Sequence, residues 1–293
     1  MIVPLPPLGG ECRANLDHPM KICCCLKTFF GSSLGKKYIM AVTGVALVLF
    51  VTGHLAGNLQ IFLPPEAINR YAHLLQSNVE LLWPVRIVML TCLGLHIWSA
   101  IRLSLENKAA RPVGYHGSPA PLAASYASRT MIMSGLIVAA FIIYHLLHFT
   151  VRTQAINLTG VDFRTLKDAA GNPDVYAMVV YGFQQWPVSL FYVIAIGLLC
   201  LHLSHAIQAM FQSLGFKNHY YGPMIDKASR LIALALFIGY CAIPVGVLLG
   251  VGREYTAKAL QQAKPRSDAT VGQSCLFAHY SAWAATVAGK RLV

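Results

Sequence analysis

Four stretches of this chain contain no Asp, Glu, Lys or Arg for as long as a bilayer crossing requires: residues 38–63, 130–151, 187–211 and 231–251. A spanning helix needs about 20 mostly apolar residues, and all four reach that length. A fifth stretch is less clean. Residues 87–101 are uncharged but short, and extending them back to Leu81 brings Pro84 and Arg86 inside the membrane boundary. Backbone in lipid must satisfy its own hydrogen bonds. The expectation is therefore an all-α integral membrane protein with five transmembrane helices, all within residues 31–252. Composition agrees: 12% of residues are charged, against about 25% in soluble domains. This excludes a disordered chain, a collagen-like chain and an ordinary water-soluble enzyme.

The formal net charge of +12 fits basic loops at an anionic lipid face and implies no nucleic-acid partner. Lys27, Lys36 and Lys37 precede the first span, and Arg102, Lys108, Arg111 and Arg129 follow the second. Lys217, Lys227 and Arg230 follow the fourth, whereas the alternate loops dilute their basic residues with Glu66, Glu80, Asp162, Asp168 and Asp174. The positive-inside rule places the N-terminus in the cytoplasm and the C-terminus outside. The tail, residues 253–293, opposes this with six basic residues and lacks strong periodicity, so it is expected to be poorly structured. Residues 1–30 read as an extension without clear period, and residues 111–121 as irregular chain. Pro64-Pro65-Glu66 signals a helix start, with a short surface helix over residues 67–76. The eight cysteines supply neither a disulfide framework nor metal-site spacing: Cys92, Cys200 and Cys241 lie in apolar runs, and Cys23, Cys24 and Cys25 are adjacent.

The informative residues are histidines. Of eleven, six fall in four of the spans: His54 in the first, His96 in the second, His145 and His148 in the third, His202 and His205 in the fourth. One such residue is ordinarily a hydrogen-bonded core side chain. At least one in each of four consecutive helices is a functional pattern, because ionisable groups in lipid are costly. Counting from the span ends puts His54, His145 and His148 toward the outer surface and His96, His202 and His205 toward the inner one. The two levels are separated by roughly 10–15 Å.

Two histidines from facing helices can fill both axial positions of a haem iron, and a four-helix bundle can hold that apolar disc. Zinc or copper would want its ligands at one level, and a proton relay would want carboxylates, which the spans lack. The expected architecture is a four-helix bundle holding two b-type haems, plus a fifth helix. Depth does not choose between His145 and His148, or between His202 and His205; the spare histidine of each pair is a candidate propionate contact or a packing residue. Arg86, near the outer end of the second helix, is a candidate partner for a propionate or a quinone carbonyl, or else snorkels to the interface. Arg129 and Lys37 are weaker candidates at the inner level.

Several motifs together resemble the cytochrome b membrane-anchor subunit of succinate dehydrogenase and fumarate reductase in its five-helix, di-haem form. They are Ser32-Ser33-Leu34-Gly35-Lys36-Lys37, Thr52-Gly53-His54-Leu55-Ala56-Gly57-Asn58-Leu59, Glu66-Ala67-Ile68-Asn69-Arg70-Tyr71-Ala72-His73 and Leu95-His96-Ile97-Trp98-Ser99-Ala100-Ile101-Arg102-Leu103. Tyr144-His145-Leu146-Leu147-His148 and His202-Leu203-Ser204-His205-Ala206 continue the likeness, which covers residues 31–252. The resemblance implies two haem b groups, with His54 and His145 as outer ligands and His96 and His202 as inner ones. It implies a flavoprotein and an iron–sulfur subunit as partners, quinone (menaquinone in many members) as substrate, and the bacterial inner membrane as location. The chain would be the electron-transfer subunit of the complex, with no succinate chemistry of its own. Candidate quinone contacts are Glu66, Arg70 and His73 outside, and Ser33 and Lys36 inside. Rival readings are a di-haem anchor of a hydrogenase or formate dehydrogenase, a His-lined transporter, and a structural anchor without haem.

Overall fold

A computed structural model describes residues 28–111 and 126–263. Among these residues the protein is all-α, its only β-type pairing an isolated bridge between Lys167 and Pro173. Five helices are long and apolar enough to cross a membrane, which makes this an integral membrane protein. They are α1 (Ser33–Asn58, continued as a 3-10 turn over Leu59–Phe62), α3 (Val79–Ala109), α5 (Met131–His145, continued as a π-helical segment over Leu146–Thr150), α7 (Trp186–Ser213) and α8 (Gly222–Leu248). Between them lie α2 (Pro65–Ser77), the single turn α4 (Tyr126–Arg129) and α6 (Val175–Gln184).

The local signals explain the ends. Ser32 caps α1 by accepting the Gly35 N–H. Pro64-Pro65 stops the 3-10 turn and starts α2, with Pro65 in its first turn and Glu66 on the positive end of the helix dipole. Asp174 caps α6 through the Ala177 N–H.

Several of the helices are longer than their apolar stretches. The second span, read as residues 81–101, is helical over Val79–Ala109, and 31 residues make about 46 Å of helix. The hydrocarbon core is about 30 Å thick, so charged turns continue past it. The fifth span starts at Gly222 rather than Leu231, so Lys227 and Arg230 are helical and not loop. Hydropathy marks where a helix leaves the lipid and not where it ends.

α1, α3, α5 and α7 form a bundle in the order α3, α1, α7, α5, and α8 lies along α7 and also touches α1. The ring is tight on three sides and light where α3 meets α5. Leu49, Ile87, Leu90, Leu136, Ile194 and Ile238 are exposed, and such uncharged faces contact lipid. Inside, hydroxyls return to their own helix: Thr43 to Ile39 O (2.7 Å), Ser99 to Leu95 O (2.8 Å) and Ser229 to Ile225 O (2.7 Å). That satisfies a polar group where no water reaches it.

The face where α1 begins is called the near face below, and its opposite the far face. At the near face Lys36, 2% exposed, joins α1 to α3: its Nζ is 2.8 Å from Glu106 Oε1 and donates to Gly31 O at 2.6 Å. At the far face α2 is clasped to α6. Asn69 donates to Asp174 Oδ1 at 3.0 Å and accepts the Tyr176 N–H at 2.9 Å. Residues Tyr176 to Phe183 of α6 are all buried. Burial, with the Asp174 carboxylate beside it, raises the Tyr176 phenol above its ordinary range. The chain divides into two compact units, Met1–Arg253 and Glu254–Val293. The sequence leads one to expect a tail that is poorly structured or of unknown role; its first residues, Arg253–Ala263, form α9. Three Ala and two Gln among its eleven residues favour a helix by propensity. Cys23, Cys24, Cys25 and the irregular segment expected at 111–121, beyond Arg111, lie outside the described residues.

Candidate functional site

The near-face level is built on Nδ1 contacts between helices. His96 of α3 places Nδ1 3.1 Å from the Met40 carbonyl and 3.3 Å from Thr43 Oγ1, both on α1. A carbonyl only accepts. The Thr43 hydroxyl already donates to Ile39 O, so its oxygen also accepts. The proton of His96 therefore sits on Nδ1. His202 of α7 repeats the logic with a different partner. Its Nδ1 is 3.2 Å from Ser134 Oγ of α5, and that hydroxyl donates to Met131 O at 3.2 Å. His96 thus leaves Nε2 as a lone pair with no hydrogen bond among the described residues, the form in which imidazole binds a metal, and His202 does the same when the Ser134 proton goes to Met131 O. Each ring lies against a glycine of the neighbouring helix, at a distance that a Cβ would tolerate. A Cβ on Gly44 would stand 3.6 Å from His96 Cε1, and one on Gly135 3.4 Å from His202 Cε1, whereas Gly53 and Gly94 have nothing within 4 Å.

The far-face level is aromatic. His54 of α1 and His145 of α5 meet with ring centroids 5.8 Å apart and planes at 85°. Phe50 stacks on His54 at 5.4 Å, and Tyr240 of α8, whose hydroxyl donates to Val51 O at 2.6 Å, lies beside it. His148, three residues on, does not join this pair. It sits on the π-helical segment, fully buried against Phe149, Phe163 and Tyr144. One hydroxyl serves both histidines: Tyr192 Oη of α7 is 3.1 Å from His148 Nδ1 and 3.4 Å from His145 Nδ1.

The far-face pair fits a haem group. Imidazoles bound to opposite sides of one iron through bonds of about 2 Å have centroids about 6 Å apart, close to the 5.8 Å between His54 and His145. Among the described residues no three His, Cys, Asp or Glu side chains converge as a metal site. A pairwise donor set suits a cofactor that brings its own equatorial nitrogens. His54, His96, His145 and His202 are all half-buried, which leaves each ring an open side, while His148 is sealed.

The other candidates are scattered. Arg86 is exposed, its guanidinium 5.4 Å from the Trp83 ring centroid, an interfacial placement. His205 lies within electrostatic reach of Lys217 and Asp226, which pair at 2.5 Å toward the near face. Arg129 and Lys37 are exposed at the near-face ends of their helices. Glu66 and Arg70 line a far-face cleft of about 550 Å³ with Gln60, Tyr71 and Leu74; His73 is exposed on the same helix but does not line it. Ser33 is exposed, and Lys36 is committed to Glu106. Sequence reasoning missed Tyr192 and the anchoring role of Met40, Thr43 and Ser134. A tyrosine inside an uncharged span, two turns from its start, was the available signal, since a buried phenol needs a partner.

Compared with protein-family models, with curated proteins and with solved structures, the chain matches none.

Proposed function

We propose that this chain is the membrane-anchor cytochrome b subunit of a succinate:quinone oxidoreductase, with two bis-His haem sites. The observation that supports it most is the tautomer imposed on His96: it donates from Nδ1 to the Met40 carbonyl of another helix and keeps Nε2 as a lone pair, and the Ser134 contact of His202 allows the same form. The motif likeness around His54, Glu66 and His96 favours the succinate family over other quinone-linked dehydrogenases.

In this reading His96 and His202 hold the near-face haem, and His54 and His145 the far-face haem. Bound haem b supplies reversible one-electron transfer. The chain's part is to fix ligand orientation through Met40, Thr43, Ser134 and Tyr192, to keep water out with uncharged helices, and to present a cleft for quinone at Glu66 and Arg70. The near face is the cytoplasmic one and receives the iron–sulfur and flavoprotein subunits. The Lys36–Glu106 pair then braces the docking end and takes no part in quinone binding.

A pyridine haemochrome assay on the purified full-length chain tests the reading, and two haem b per chain is the expected result. A chain that takes up no haem when haem is supplied overturns it. Haem without succinate-dependent quinone reduction in the assembled complex would instead assign the anchor to another dehydrogenase.

A further inference from the structure

Tyr192 lies between two histidines but has one proton to give. It is 3.1 Å from His148 Nδ1 and 3.4 Å from His145 Nδ1. A phenolic hydroxyl donates once and accepts through its lone pairs, so the two contacts run in opposite directions. Which way they run depends on His145. A histidine bound to iron through Nε2 must carry its proton on Nδ1. His145 Nδ1–H then donates to Tyr192 Oη, and Tyr192 O–H donates to His148 Nδ1, the shorter contact. The proton of His148 is left on Nε2, which is the one buried side-chain nitrogen or oxygen among the described residues without a hydrogen-bond partner.

We propose that Tyr192 is the positioning residue of the far-face site: it accepts from His145, sets that ligand's tautomer and strength, and is itself oriented by His148. This rests on the haem reading above. Packing supports it independently. Phe141 meets the Tyr192 ring edge-on at 5.2 Å and Phe183 at 4.9 Å, so the phenol is clamped by faces that give its oxygen no other direction. Tyr192 is 3% exposed and His148 0%, so water does not substitute for either partner. His145 and His148 are three residues apart and so share a helix face, which brings both within reach of the same hydroxyl.

The consequence is electronic. An acceptor on Nδ1–H makes the imidazole a stronger donor to ferric iron, and removing that acceptor favours the ferrous form. Tyr192→Phe keeps the ring and its clamps but deletes the acceptor. The experiment is a redox titration of the full chain, followed optically and by electron paramagnetic resonance, with haem counted first. Tyr192→Phe is expected to retain two haems and to raise the potential of one of them. A tenfold loss of ferric preference corresponds to about 59 mV for one electron. The other haem keeps its potential and its low-spin signal. Two haems with both potentials unchanged, or with the shifted one lowered, overturn the proposal. Should Tyr192→Phe fail to hold two haems, 3-fluorotyrosine placed at position 192 keeps the fold and weakens the oxygen as an acceptor. A smaller upward shift of the same haem then supports the proposal, and no shift overturns it. A wild-type chain without haem fails at the counting step and so marks failure of the underlying reading.

Discussion

The two histidine levels contain the same ligand type and are built in opposite ways. At the near face each ring is held by a group on a neighbouring helix: the Met40 carbonyl and the Thr43 hydroxyl for His96, the Ser134 hydroxyl for His202. The tautomer of His96 is set by the protein alone. At the far face His54 and His145 meet each other, and the one hydroxyl available is shared between His145 and His148. There the tautomer is set only once a ligand claims Nε2. The near level is preorganised by helix backbones, and the far level by a cluster of aromatic rings covered by α6 and the loop before it. Their responses to mutation should differ accordingly.

The largest contrast comes from removing one ligand at a time. His96→Ala is expected to lose the near-face haem, halve the haemochrome count and stop succinate-to-quinone electron flow. His54→Ala should leave the near-face haem in place with its spectrum intact. Loss of both haems from either variant would show that the levels are not independent.

A smaller effect separates the two near-face anchors. Ser134→Ala removes the only Nδ1 partner of His202 and should weaken haem retention roughly 10–100-fold, the usual cost of losing a ligand's outer partner. Thr43→Val leaves His96 its bond to the Met40 carbonyl, so the loss should be several times smaller. Haem transfer to apomyoglobin measures both, and equal losses would contradict this account of the anchors.

Lys36→Met probes the near face without touching a histidine. It leaves the half-exposed Glu106 carboxylate with only the longer Arg102 contact at 4.0 Å and should cost about 2 kcal/mol, between the value of a surface pair and that of a fully buried one. Thermal loss of the haem spectrum would report it, and quinone reduction at permissive temperature should be unchanged. His219→Ala, in the loop between α7 and α8, should alter neither haem count nor electron flow; a lost haem there would reopen the assignment of ligands.

The spans themselves were legible because lipid imposes a length and a composition that no soluble fold requires. The α2 start was legible too, since Pro64-Pro65-Glu66 both stops one helix and begins the next. What escaped was anything set by contact. Lys36 reads as a basic residue ahead of the first span and a candidate quinone contact, yet it is buried and paired with Glu106 of another helix. α6 is too short to span and too apolar for a surface loop, and only its burial beneath α2 explains it. His145 and His148 look equivalent in sequence, and the π-helical segment sends one toward His54 and the other into an aromatic box.

By itself the chain of residues determined five membrane-crossing helices and a histidine on each of four, because transfer into lipid is a property of side chains counted along one segment. Which nitrogen of each ring is left free, and which of two neighbouring histidines meets a partner, was decided only by the packed bundle. Those choices depend on acceptors brought in from other helices, across distances in sequence that no local pattern records.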